Sequence, residues 1–200
     1  MRRNTKTLVL IAMLATISTV LRLLELPVPF APPGTLHWDL SDLPVVLGGF
    51  ALGPWAAVGI AYVKNFIALF TTTTLGAGEL ANFVFAVSLA VPAAIWFRKR
   101  PDTRGAAYGL ALGVFCMIVS AMLVNYFIMV PFFAWLIGIP LDAVVGMFAA
   151  VNPLAETRME VVVWTFMPFN LIKGALTGVL SFMLYRRINP VLRQFTSDVP

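Results

Sequence analysis

The sequence predicts an all-α integral membrane protein: one membrane domain built as a bundle of six transmembrane helices. Three observations carry this. Of 200 residues, 60% are hydrophobic and only 12% are charged, whereas an ordinary soluble domain is about half apolar and about one quarter charged. Mean hydropathy is +0.90. Long charge-free stretches also recur between clusters of Lys and Arg. Too few charges remain to cover a soluble exterior, which excludes a soluble enzyme, a disordered chain, collagen and a coiled coil. A hydrocarbon core takes about 20 helical residues per span. The 200 residues then suffice for six spans with short loops and no appended soluble domain.

The first span is expected over 8–26, a run uncharged to residue 21. Arg22 and Glu25 follow on one helix face, three residues apart. A basic start followed by an apolar run also fits a signal peptide, but no small-x-small cleavage site follows, and removal would invert every later loop. Residues 27–41 form a Pro/Gly-rich outer loop. The next apolar run contains Gly53-Pro54, a step that punctuates helices, and it divides into a short helix at 42–53 and a helix at 55–71. After a Thr/Gly loop, a fourth helix covers 80–97 and ends in the charged turn Arg98, Lys99, Arg100, Asp102, Arg104. Residues 105–141 lack charge for 37 positions, too long for one span. Pro131 is expected to end the fifth helix, giving 105–131. Residues 132–160 then form an outer, partly interfacial segment with Trp135 at headgroup depth. The sixth helix is expected over 161–185.

The charges test the orientation. With cytoplasmic termini, the inner segments hold three, zero, four and three Lys/Arg, while the outer loops hold Asp39, Asp42, Asp142, Glu156 and Glu160 against Arg158. That is the positive-inside pattern, and five or seven spans would place a basic cluster on the wrong side. The net charge of +5 and a pI near 9.8 are therefore read as membrane topology and not as a nucleic-acid surface. Cys116 stands alone, so no internal disulfide or Cys-based metal site is available, and a buried inert thiol is the expected role.

Polar residues inside spans carry the functional information, because each costs about 2.5–3.5 kcal/mol or more at mid-bilayer unless satisfied. Glu79, Asn82, Asn125, Asn170 and Lys173 share a depth. Asn170 and Lys173 lie about 13–18 Å below the start of their helix at 1.5 Å per residue. They describe a pocket in the outer half of the bundle, open to the outside. Plainer roles stand beside this. Asn125 and Asn170 equally suit interhelical hydrogen bonding, and Lys173 would then pair with Glu79. Lys64 is expected to snorkel or to form a structural pair. Asp39 and Asp42 are expected to cap the second helix, and His37 to be solvated.

No catalytic set is present: HExxH, GxSxG and a phosphate-binding Gly loop are all missing. No metal site is expected, and any ATP chemistry must come from another chain. Asparagine offers donors and an acceptor together, which matches a heterocycle edge alternating C=O and N–H. Trp38, Phe83, Tyr126, Phe127, Trp164 and Phe169 are available to hold a planar ring. The residues themselves reach a binder of a polar, aromatic small molecule and do not name it.

Five stretches carry a family resemblance: DLSDLP (39–44) with the Gly-x-x-x-Gly-Pro run after it, VKNF (63–66), GELANF (78–83), NYFIMVP (125–131) and PFNLIKG (168–174). In that order the chain resembles the S components, the substrate-binding membrane subunits of energy-coupling-factor vitamin transporters. It is most similar to the riboflavin-specific, or RibU, branch. The resemblance implies a six-helix bundle in the plasma membrane with cytoplasmic termini, riboflavin as transported ligand, no cofactor and no enzymatic activity. It implies substrate binding by Asn125, Asn170, Lys173 and the first outer loop near Thr35, Leu36 and His37, with Glu79 and Asn82 added by GELANF. It also implies a transmembrane coupling subunit and two ATPase subunits as partners. In such a cycle the first loop closes over the ligand and the partner topples the bundle. The family docks through small residues on its first helix, usually Ala-x-x-x-Ala. Here the pattern is Ala12-x-x-x-Thr16 with Ala15 beside it, and threonine still permits close approach.

Two other readings stand against this one. The same fold could serve another vitamin, such as pantothenate or thiamine. Alternatively, an integral-membrane lipid enzyme could use Asp39, Asp42 or His37.

Overall fold

A computed structural model of the chain describes residues 3–196, with side chains from 5 to 187. Of the terminal Lys/Arg counted above, Arg2, Arg3 and Arg193 lie outside the described side chains. Helix α1 covers Arg3–Leu23, α2 Asp42–Leu52, α3 Pro54–Ala68, α4 Ala77–Lys99 and α5 Thr103–Val124. Helices α6 (Val130–Ile137), α7 (Leu141–Ala149), α8 (Arg158–Val161) and α9 (Met167–Thr196) follow. The β structure among the described residues is one two-residue antiparallel pair, β1 (Leu26–Pro27) with β2 (His37–Trp38), in the register Leu26↔Trp38. It ties the base of the first loop, at the end of the stretch expected to be helical.

Among the described residues, five helical runs are long and apolar enough to cross a membrane: Thr5–Leu23, Pro54–Thr71, Ala77–Lys99, Thr103–Ile137 and Arg158–Arg187. The shorter apolar helix Asp42–Leu52 is the most enclosed, with Val45, Val46, Leu47 and Phe50 all buried. It packs against α1, α3, α4 and α9. Gly53 separates α2 from α3 with φ of 102°, a conformation that favours glycine, and Pro54 opens α3 where its missing N–H costs nothing. Helices α4 and α5 meet most closely: a Cβ on Gly109 would lie 2.7 Å from the Ala93 carbonyl oxygen. That is the small-residue contact expected where helices cannot gain from the hydrophobic effect in lipid.

The first helix ends at Leu23 and not at residue 26, and two further ends differ from the sequence expectation. Pro131 does not end the fifth helix. The chain passes through a π-helical turn, Asn125–Met129, and continues as α6. In that turn the Val130 N–H bonds Asn125 O, five residues back. Pro131 has no N–H to give Tyr126 O in the same register, and the Arg158 guanidinium donates to that carbonyl instead. The last span repeats the device. Its π turn is Val162–Phe166, two residues before Pro168. Trp164 O, whose α-helical donor would be residue 168, accepts from Asn152 Nδ2 at 3.0 Å. This span starts at α8, earlier than 161, on a capping box between Thr157 and Glu160.

The apolar interior has three parts. One joins α1–α5 with α9, a second joins α6–α8 with the second π turn, and a third sets Val28 and Ala31 of the first loop on Phe169. Cys116 is half-buried, not buried as expected.

Candidate functional site

A cavity of about 620 Å³ opens where these three apolar groups meet. Its wall includes Glu79, Asn82, Asn125, Asn170 and Lys173, together with Thr35, Leu36 and His37 of the first loop. Residues from four separate stretches of sequence therefore converge. Asn125, Asn170 and Lys173 are 4%, 1% and 4% exposed, so none of them faces lipid.

The two asparagines are held alike. Asn125 Nδ2 donates to Ala121 O at 2.7 Å and Asn170 Nδ2 to Phe166 O at 2.8 Å, each one turn back on its own helix. In both cases one amide hydrogen is used locally. Asn170 Oδ1 is buried and finds no partner within the protein, so it is an acceptor open to a donor group in the cavity.

Lys173 does not pair with Glu79. Its Nζ lies 2.8 Å from Asp39 Oδ2 and 3.8 Å from Asp42 Oδ2. Asp39 also accepts from the backbone N–H of Ser41 at 2.8 Å and from the Ser41 hydroxyl. Burial alone would raise the Asp39 pKa, but Lys173 and Lys64 with these hydrogen bonds hold it well below the ordinary carboxylate range. Neither aspartate caps α2 through its side chain. Ser41 is the N-cap residue, and Asp42 begins the helix. Asp42 Oδ1 accepts from Lys64 Nζ at 2.6 Å, and Lys64 also reaches Ser41 Oγ at 2.9 Å. Lys64 is 1% exposed, so it is a structural pair and does not snorkel. The carboxylates take lysines because a lone buried charge is far more costly than a paired one.

Arg22 does not join Glu25. Its guanidinium crosses to α3 and α4, donating to Asn65 Oδ1 at 3.1 Å and Glu79 Oε1 at 3.2 Å. The other oxygen, Glu79 Oε2, accepts from Thr72 Oγ1 at 2.7 Å and Thr74 Oγ1 at 3.2 Å. Glu25 lies past the end of α1, with Oε1 4.0 Å from His37 Nδ1. His37 is thus half-exposed and in the cavity wall, and not merely solvated.

Sequence reasoning missed Asp39 and Arg22 as cavity residues. A lysine within a span requires a carboxylate partner, but that signal does not say which carboxylate, Glu79 or one in the first loop. The aromatic lining also differs. Of the six aromatics named from the sequence, Phe169 alone is among the lining residues, where Phe85, Phe133, Phe148 and Phe166 join it. Trp38 packs edge-on against Phe169 at 5.6 Å. Tyr126 lies under the Arg158 guanidinium at 4.1 Å, Phe83 packs in the main apolar core, and Phe127 and Trp164 are exposed. On α1, Ala12 and Thr16 are exposed, but Ala15 is fully buried against the core and is not available to a partner.

Comparison with known proteins agrees with this architecture. The riboflavin transporter RibU of Staphylococcus aureus (strain TCH60) is 30% identical over 194 residues, covering 97% of this chain and 95% of its own. The riboflavin transporter FmnP of Bacillus subtilis (strain 168) is 28% identical over 193 residues, covering 94% and 95%. A solved S component of a bacterial ECF transporter superposes with a TM-score of 0.75 at 28% identity, over 95% of this chain and 99% of that one. The family model for the substrate-specific component of ECF transporters matches residues 6–185, and the chain belongs to that family.

Proposed function

We propose that this chain binds riboflavin from the outer side of the membrane and delivers it for ATP-driven uptake. The observation that carries the reading is Asn170 Oδ1, a buried acceptor without a protein partner, in the same cavity as Asn125 and Lys173. Two amides and an ammonium supply the donors and acceptors a flavin ring edge requires. The four phenylalanines and Phe169 supply apolar faces for the ring. The names of the relatives support the ligand. On this reading Asn125, Asn170 and Lys173 hold the ring, joined by Asp39. Thr35, Leu36 and His37 close over it from the first loop, and Glu79 and Asn82 meet the tail.

The chain is a multi-pass plasma-membrane component of a transporter and not an enzyme. Asp39 and Asp42 are engaged by lysines, which also disfavours a free carboxylate dyad for lipid chemistry. Our assignment adds α2 to the five long runs as a sixth span and places both termini in the cytoplasm, following the basic clusters. The energy comes from a transmembrane coupling subunit and two ATPase subunits, with Ala12 and Thr16 on the docking face.

The test is the ligand itself. Protein purified without added vitamin should be yellow and, on denaturation, release riboflavin identified by mass spectrometry. Colourless protein without flavin, or protein carrying pantothenate or thiamine, overturns the assignment.

A further inference from the structure

The charged residues in the cavity wall are Arg22 and Lys173 against Glu25, Asp39 and Glu79. Both cations are already matched, Arg22 by Glu79 at 3.2 Å and Lys173 by Asp39 at 2.8 Å. A flavin whose ring edge lies on Asn125 and Asn170 leaves its tail to the remaining polar wall, which α1 and α4 supply through Arg22, Glu79 and Asn82. The tail exists in two chemical forms: a neutral polyol, and a polyol ending in a phosphate monoester that carries about −1.5 to −2 at neutral pH.

We propose that the Arg22–Glu79 pair sets the charge of the accepted ligand, admitting the neutral polyol and rejecting the phosphate monoester. This inference rests on the riboflavin reading. Hydroxyl groups can donate to Glu79 and accept from Arg22 while the ion pair stays intact. A phosphate lacks that freedom: it can take the remaining N–H groups of Arg22 only by bringing its own negative charge up against the Glu79 carboxylate, which already neutralises the guanidinium. Thr72 and Thr74 keep that carboxylate in place by holding its far oxygen. Asn65 holds the other arm of Arg22 and is itself fixed to Ala61 O at 2.8 Å. Discrimination thus comes from a built-in repulsive element, the carboxylate, placed beside an otherwise attractive guanidinium.

Two variants separate this from a merely structural role because they move the same quantity in opposite directions. The full-length protein in detergent is titrated with riboflavin and with flavin mononucleotide, following quenching of flavin fluorescence. The readout is the ratio of the two Kd values. The wild type should favour riboflavin at least about tenfold. Glu79→Gln keeps the size and an acceptor for the threonines but frees Arg22, and should lower the ratio by about tenfold or more, chiefly through tighter binding of the phosphate form. Arg22→Gln leaves the carboxylate unopposed and should raise the ratio. A wild type that binds both flavins equally overturns the proposal, as do variants whose ratios are unchanged or move together. If Glu79→Gln does not fold, the direction of the Arg22→Gln shift decides alone. A wild type that binds neither flavin refutes the riboflavin reading, and this inference with it.

Discussion

Lys173 Nζ and Asp39 Oδ2 lie 2.8 Å apart although 134 residues separate them in sequence, and both side chains are 5% exposed. The contact fastens the first loop to the last span at the cavity wall. Removing one partner strands the other charge, at a cost of about 3–5 kcal/mol. Lys173→Met should therefore lower the midpoint of thermal unfolding in detergent more than the double variant Asp39→Asn with Lys173→Met. Both should bind riboflavin weakly.

Asn170→Ala removes the free acceptor without removing a charge. It should weaken riboflavin binding by about 1–3 kcal/mol, or roughly 5–150-fold, with little change in unfolding temperature. Isothermal titration beside a thermal melt separates the two effects. A large loss of stability with unchanged affinity would assign Asn170 to helix packing.

The Lys64–Asp42 pair sits beneath the first loop and outside the cavity wall. Asp42→Asn alone should destabilise strongly, by about 3–5 kcal/mol, because Lys64 keeps its charge. Replacing both residues with apolar ones of similar size should recover most of the loss. Guanidinium-induced unfolding of the detergent-solubilised variants measures this.

Acid sensitivity follows from Asp39. Its folded pKa lies below the ordinary 3.8, so at acid pH the carboxyl group binds fewer protons in the folded state than in the unfolded one. The stability this contributes is fully present above that ordinary value and is lost as pH falls below it. Thermal melts should thus show no loss from Asp39 between about pH 8 and about pH 5, and a decline below about pH 4 that Asp39→Asn flattens.

Thr16 is exposed on α1 and its hydroxyl bonds Ala12 O at 2.9 Å, within its own helix. Thr16→Leu should leave riboflavin affinity intact while reducing uptake in cells by at least about tenfold, because bulk on a small-residue face blocks close helix approach. Normal uptake would move the docking face elsewhere.

Much of this was legible in the sequence, and the parts that were not have physical causes. Charge-free length and Gly53-Pro54 located the spans, because hydrocarbon burial and glycine–proline breaks are local rules. Residues costly to place in lipid, such as Asn125 and Asn170, marked the cavity wall. Partner choice was not legible. Arg22, Lys64 and Lys173 each pair across the bundle with Glu79, Asp42 and Asp39, and no local spacing encodes which carboxylate a buried cation meets. Pro131 misled because proline usually ends a helix. A π turn and a distant arginine make good the missing hydrogen bond, and neither is a nearest-neighbour property.

The twin proline bends carry one more implication. Each leaves a carbonyl in need of a donor, and the donors, Asn152 before the last span and Arg158 at its first residue, lie where the connection runs into that span. This junction acts as a crossbar between two legs. Tilting one leg alone would pull its carbonyl off the bar and leave it bare in a dry setting, where an unanswered backbone group is heavily penalised. The ends of these two spans beside the cavity are therefore geared together, and any widening of its mouth has to move them as a pair.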